Sequence, residues 1–196
     1  DEFAQSIRDR VKRMKQYVGG DGVVGAWVPY GPFNNASHLI ELDELYSLFL
    51  FDEEYYEKLM RFSLTRFNDY VRAYMDTELD AYFIGGNVPG GFMGKKNYDK
   101  YALPYEKAYT ELLQSEGKPC IYHNCGQIMS LIDSYKELGS RIVEPFSPPP
   151  LGDTNLEHAV DVINGDYIMH CGVDQVNIIQ KGTVEDVVEA TRRTAL

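Results

Sequence analysis

Five consecutive residues, Tyr122-His123-Asn124-Cys125-Gly126, carry the sharpest chemical signal in this chain. On extended backbone, positions i and i+2 point the same way. His123 and Cys125 can therefore present an imidazole nitrogen and a thiolate toward one ion. Zinc favours such soft nitrogen and sulfur donors, and a catalytic zinc keeps three protein ligands beside an open position. Two ligands do not make a site, so further donors are needed. Glu144, within Arg141-Ile-Val-Glu-Pro-Phe146, stands at the C-terminal end of the next predicted strand. Cys171 stands at the end of the strand after that and is a further candidate ligand. Those ends are where parallel α/β folds build their sites.

Plainer readings compete. A Cys beside a strand is often a small buried hydrophobe, and Cys120, early in its strand, is read that way. Glu144 could instead be solvated or paired with Arg141. Cys171 shares a strand face with Met169 and Val173, which look like core. His170 points to the opposite strand face from Cys171, so the two cannot chelate together from regular β structure. Asp153, after Gly152, and Asp174, closing Cys171-Gly-Val-Asp174, fall in strand-to-helix loops. There a carboxylate can act on substrate or merely cap a helix, and both are kept as candidate catalytic residues. The glycine-rich stretch 85–91 lacks the order that cradles phosphates and is read as an adaptable active-site loop. There is no Gly-x-Ser-x-Gly elbow or other nucleophile signature.

The elements that must hold these residues alternate. Phe3, Ile7, Val11, Met14 and Val18 recur at helical steps, and Gly19-Gly20 ends that helix. Val23 to Val28 reads as a strand closed by Pro29 and Gly31-Pro32. A long helix is expected from an N-cap at Asp52, with a stripe running from Tyr56 to Tyr74. Strands are then predicted at 81–84, 118–122, 141–146 and 167–173, and helices at 98–116, 128–138 and 156–163. Thr183-Val-Glu-Asp186 looks like a variant capping box opening a last helix. Short apolar strands separated by helices call for a parallel sheet covered by helices, either doubly wound or a barrel. A complete eight-unit barrel takes about 250 residues, so roughly five βα units would be an incomplete one.

Composition narrows the partners. The chain has 196 residues, with 30 acidic against 19 basic side chains and a net charge of −11. No basic stripe could neutralise several phosphates, which argues against nucleic acid. No apolar run approaches the ~20 residues of a spanning helix, so a soluble protein without membrane contact is expected. Three Cys without framework spacing favour a reducing, cytoplasmic setting over disulfides.

From about residue 97 onward the chain resembles the uroporphyrinogen decarboxylase superfamily, specifically its corrinoid-dependent methyltransferase branch. The matching residues are Pro104-Tyr105-Glu-Lys107, His123-Asn-Cys125-Gly126, the Glu-Leu-Gly139 closing a helix, Val143-Glu144, Gly152-Asp153, Gly172-Val-Asp174 and Gly182-Thr183-Val-Glu-Asp-Val187. Residues 22–90 fit more loosely. The resemblance implies a (β/α) TIM-type barrel whose zinc is held by His, Cys, Glu and a further Cys and activates a thiol or a related methyl donor or acceptor. The methyl group would travel on a corrinoid carried by a separate partner protein. His123, Cys125 and Glu144 match three ligand positions. The family's remaining Cys belongs to the strand after the one holding Cys171, beyond Leu196, so the chain is truncated, or Cys171 substitutes, or the site is incomplete. The expectation is one domain, 1–196, truncated at both ends. Its open sheet edges favour pairing with another chain, a homodimer included. A metal-independent decarboxylase of porphyrin biosynthesis ranks second, because true decarboxylases lack the His-x-Cys-Gly element and carry Asp where Glu144 stands. A non-catalytic barrel fragment or binding subunit ranks third.

Overall fold

Short apolar strands build one parallel sheet in the computed structural model, which describes residues 2–86, 90 and 92–195, with Cys171 described in its backbone alone. The strands are β1 (Gly25–Trp27), β2 (Ala81–Gly85), β3 (Cys120–His123), β4 (Ile142–Phe146) and β5 (Ile168–Cys171). They lie side by side in chain order, each parallel to the next. A doubly wound sheet reverses its order at a switch point. This one runs straight through, which makes it an arc of a (β/α) barrel rather than a wound sheet. No ladder closes β5 onto β1 among the described residues.

Helices fill the connections. α1 (Glu2–Val18) precedes β1, and α2 (Pro32–Ser37), α3 (Leu42–Phe51), α4 (Glu53–Arg66) and α5 (Asn68–Met75) lie between β1 and β2. The short α6 (Lys95–Asn97) leads through a π-helical turn at Tyr98–Ala102 into α7 (Leu103–Gln114). Then follow α8 (Ser134–Leu138), α9 (Leu156–Ile163), a second π-helical turn at Gln175–Gln180, and α10 (Val184–Thr194). None of the described helices is long and apolar enough to cross a membrane.

Several boundaries differ from the sequence reading, each for a local reason. The helix expected from Asp52 to Tyr74 is broken at Phe67. Just before the break, the Thr65 hydroxyl donates back to the carbonyls of Arg61 and Phe62, a bond that bends helices. The helix expected from Tyr98 is α-helical only from Leu103, because Pro104 has no N–H to give a carbonyl one turn earlier. Between 128 and 138 only Ser134–Leu138 is helical. Leu131 N–H donates to Ile128 O three residues back, and turns of that kind reproduce the apolar spacing of a helix while burying Ile128, Leu131 and Ile132. Elsewhere the agreement is close. Asp52 caps α4 by accepting from Tyr55 N–H, and Thr183 with Asp186 forms the reciprocal capping box of α10.

The two faces of the sheet differ. Tyr82, Ile84, Cys120, Tyr122 and Val143 pack under the helices in the main core, together with Tyr98, Tyr109 and Tyr135. Burial pushes the Cys120 thiol up to about 12, as suits a packing residue. On the opposite, inner face the register aligns Trp27, Phe83, Ile121, Ile142 and Ile168 in one row. A closed barrel buries such rows in stacked layers. Here the ends of the row are open, with Trp27 and Ile168 each 49% exposed. One row further toward the strands' C-terminal ends, Gly85, His123 and Glu144 stand in register.

Candidate functional site

The polar row at the C-terminal ends of the strands is where the chemistry collects. His123 is the last residue of β3, and Glu144 is its direct partner on β4. Because paired residues on neighbouring strands project to the same side, the Glu144 Oε1 comes 3.1 Å from the His123 Nδ1. The other carboxylate oxygen, Oε2, lies 2.6 Å from the Nδ1 of His170 on β5. Trp27 also packs on the His123 ring, edge to face, with centroids 5.4 Å apart. Sequence reasoning set His170 aside as a residue that could not act with Cys171. What it lacked was the register that brings His170 to Glu144.

Beyond His123 the chain alternates. Asn124 is buried, and Cys125 is exposed and takes no part in a disulfide. The Asn124 N–H donates to the Glu144 carbonyl at 2.7 Å, and its side-chain amide donates to the Tyr135 hydroxyl at 2.8 Å. Its Oδ1 has no hydrogen-bond partner among the described residues. Asn124 is thus the anchor of the motif, and the Tyr135 hydroxyl holds its side chain. Tyr135→Phe should strand a buried amide and cost about 1–3 kcal/mol in urea unfolding. Equal stability of the two proteins would remove Asn124 from this anchoring role.

Gly126 adopts a left-handed backbone with φ of 92°, turning the chain out of the strand. The turn is held from the β4–α9 loop. Asp153 Oδ1 accepts from the N–H groups of Ile128 and Met129 at 2.8 and 3.1 Å, so this carboxylate ties down the segment that follows Cys125. Asp174 accepts from the N–H groups of Val176 and Asn177 and from the Asn177 side chain, each at 2.8 Å. The Asn177 bonds hold its carboxyl below the usual range. In this structure the observed work of both carboxylates is to cap and brace loops.

The donor types suit a soft divalent ion. A carboxylate on Nδ1 is the arrangement that braces a ligating imidazole, leaving Nε2 to face the metal, and a thiol stands two residues on. Among the described residues, no three His, Cys, Asp or Glu side chains are grouped so as to hold an ion. His123 and Cys125 supply two candidate donors, short of the three that a catalytic zinc takes from the protein. The side chain of Cys171, the other expected donor, lies outside the described residues, as does most of the glycine-rich stretch 85–91.

One buried carboxyl escaped the sequence reading. Glu106, in the Pro-Tyr-Glu-Lys stretch of α7, is fully buried beneath the turn after β1, its Oε1 accepting from the Phe33 N–H at 3.0 Å. Its Oε2 has no hydrogen-bond partner among the described residues. Burial raises its carboxyl to about 8, against a lowering by the Phe33 bond. An isolated Glu among Tyr and Pro on an amphipathic helix gives no sequence signal of burial.

Comparison with known proteins gives the chain its family. The family model for uroporphyrinogen decarboxylase (URO-D) matches residues 2–194. The chain belongs to the uroporphyrinogen decarboxylase family. Within that family it is 26% identical over 192 residues to the methylcobamide:CoM methyltransferase MtbA of Methanosarcina acetivorans, covering 95% of this chain and 53% of that protein. The MtbA of Methanosarcina mazei is 24% identical over 192 residues, with 96% and 53% covered. The chain thus spans about half the length of the curated relatives it matches. Among solved structures, a methyltransferase from Methanosarcina mazei superposes with a TM-score of 0.83 at 13% identity, over 96% of this chain and 54% of its own. That likeness supports the barrel arc read from the strand order.

Proposed function

We propose that this member of the uroporphyrinogen decarboxylase family contributes to a zinc-dependent methyltransferase site. The reaction would move a methyl group between a corrinoid protein and a small thiol or other small methyl donor or acceptor. The observation that carries the reading is the His123–Glu144 pair at the C-terminal ends of adjacent strands, with Cys125 two residues further on. Two relatives named as methylcobamide:CoM methyltransferases support it. Zinc, when bound, would lower the pKa of a ligated thiol so that the nucleophilic thiolate exists at neutral pH.

The residues of this chain do the holding. His123 offers Nε2, because Glu144 occupies Nδ1. Cys125 offers its sulfur from the exposed end of the motif, with Glu144 and Cys171 as further candidate donors. Asn124 sets the spacing between the two by anchoring the peptide that joins them. Asp153 holds the following turn and so limits where Cys125 can swing. Trp27 walls the site on the side of β1, where a flat apolar surface can exclude water from a docked substrate.

Metal analysis of the purified chain after zinc loading tests the reading. The expected result is about one zinc per chain, lost in the His123→Ala, Cys125→Ala double variant. A wild-type chain that retains no zinc after loading and dialysis would overturn it, and porphyrin turnover without metal would favour the decarboxylase instead.

A further inference from the structure

Glu144 serves two imidazoles, and only one belongs to the metal motif. A carboxylate oxygen can only accept, so each contact places a ring hydrogen on Nδ1 and, in a neutral ring, leaves the lone pair on Nε2. The His123 ring is in contact with both Trp27 and Glu144. A carboxylate held at one oxygen can still turn about its own axis. The second bond, at Oε2, removes that freedom. His170 is 66% exposed at its side chain, and a bond to so exposed a group contributes little to folding. Its effect is therefore felt at Glu144, which is only 12% exposed.

We infer that His170 is a positioning residue: by fixing the carboxylate plane of Glu144, it sets the tautomer and the ring direction of His123. The metal consequence rests on the zinc reading above, while the tautomer of His123 does not. Outer partners of ligating imidazoles change metal affinity by roughly 10–100-fold. Because His170 acts through Glu144 and does not touch the ring itself, His170→Ala should weaken zinc binding by up to about 10-fold, the low end of that range, in a chelator competition. In the zinc-free protein, at mildly alkaline pH, nitrogen NMR should show His123 with its hydrogen on Nδ1. His170→Ala should shift it toward a mixture of tautomers.

His170→Asn supplies the control, because its amide can donate to Glu144 Oε2 without offering an imidazole. Recovery of both the tautomer and the affinity in this variant is the expected outcome. An unchanged His123 tautomer in His170→Ala would overturn the inference, as would equal losses in the Ala and Asn variants. Should the wild-type chain bind no zinc, the functional reading fails, and the NMR comparison still decides the role of His170. Thermal unfolding of the zinc-free variants at the wild-type temperature shows that the effect is local.

Discussion

Glu106→Gln should flatten the dependence of stability on pH between about 4.5 and about 8, the ordinary and the folded values of this carboxyl. The sign follows from which state holds the proton. Below the lower value the carboxyl is neutral in both folded and unfolded chains, and its burial costs little. Between the two values the unfolded chain ionises while the folded chain keeps its proton, so the wild type loses stability as pH rises. Above about 8 the folded state ionises as well, and the loss levels off. Each unit of difference corresponds to ~1.4 kcal/mol, so the total is on the order of several kcal/mol. Glutamine keeps an oxygen for the Phe33 N–H and cannot ionise. Urea midpoints for both proteins, measured near pH 5 and again near pH 9, would show the variant gaining only at the higher pH. Parallel profiles would mean that Glu106 is not the group responsible. Gly31 belongs to the same arrangement, because a Cβ there would collide with the Glu106 carboxylate.

Gly152→Ala should be a strongly damaging small substitution near the site. A Cβ at this position would stand 2.5 Å from the Ser147 carbonyl oxygen and 2.7 Å from that of Gly126. Both obstacles are backbone and cannot rotate away. Overpacking of this kind costs roughly 1–3 kcal/mol or more. The Gly126 carbonyl belongs to the residue after Cys125, so the displacement passes directly into the candidate donor set. Gly20→Ala is the natural control. Its added methyl meets nothing within 4 Å, and stability should stay within about 0.5 kcal/mol. If urea unfolding finds the two variants equally stable, the close approach of the β4–α9 loop to Gly126 does not constrain the fold. If Gly152→Ala is destabilised, zinc retention should fall with it.

Much of the local structure is legible without coordinates. The caps at Asp52 and Thr183 depend on side chains reaching their own backbone, and residue type alone announces them. The π-helical turns are not legible. Apolar residues in turns bonded at i+3 repeat at the same spacing as in a helix, so 128–133 reads as helix although it is not. The helix at 32–37 is likewise hard to read, because a short piece opened by Pro32 and rich in Asn carries little helical signal.

The site divides along the same line. His123 and Cys125 could be picked out because two donor types at i and i+2 at a strand end are a property of three adjacent residues. Glu144 could be suggested because the next strand in a parallel fold must lie nearby. Chain order alone determined a parallel α/β protein with donors at the strands' C-terminal ends. Only the tertiary structure decided that the strands follow one another without reversal, as in a barrel. It also brought His170 to the second oxygen of Glu144 and buried Glu106 against Phe33. Each of these is a matter of register or helix docking, set by how side chains far apart in sequence pack together, and no local window of residues contains that information.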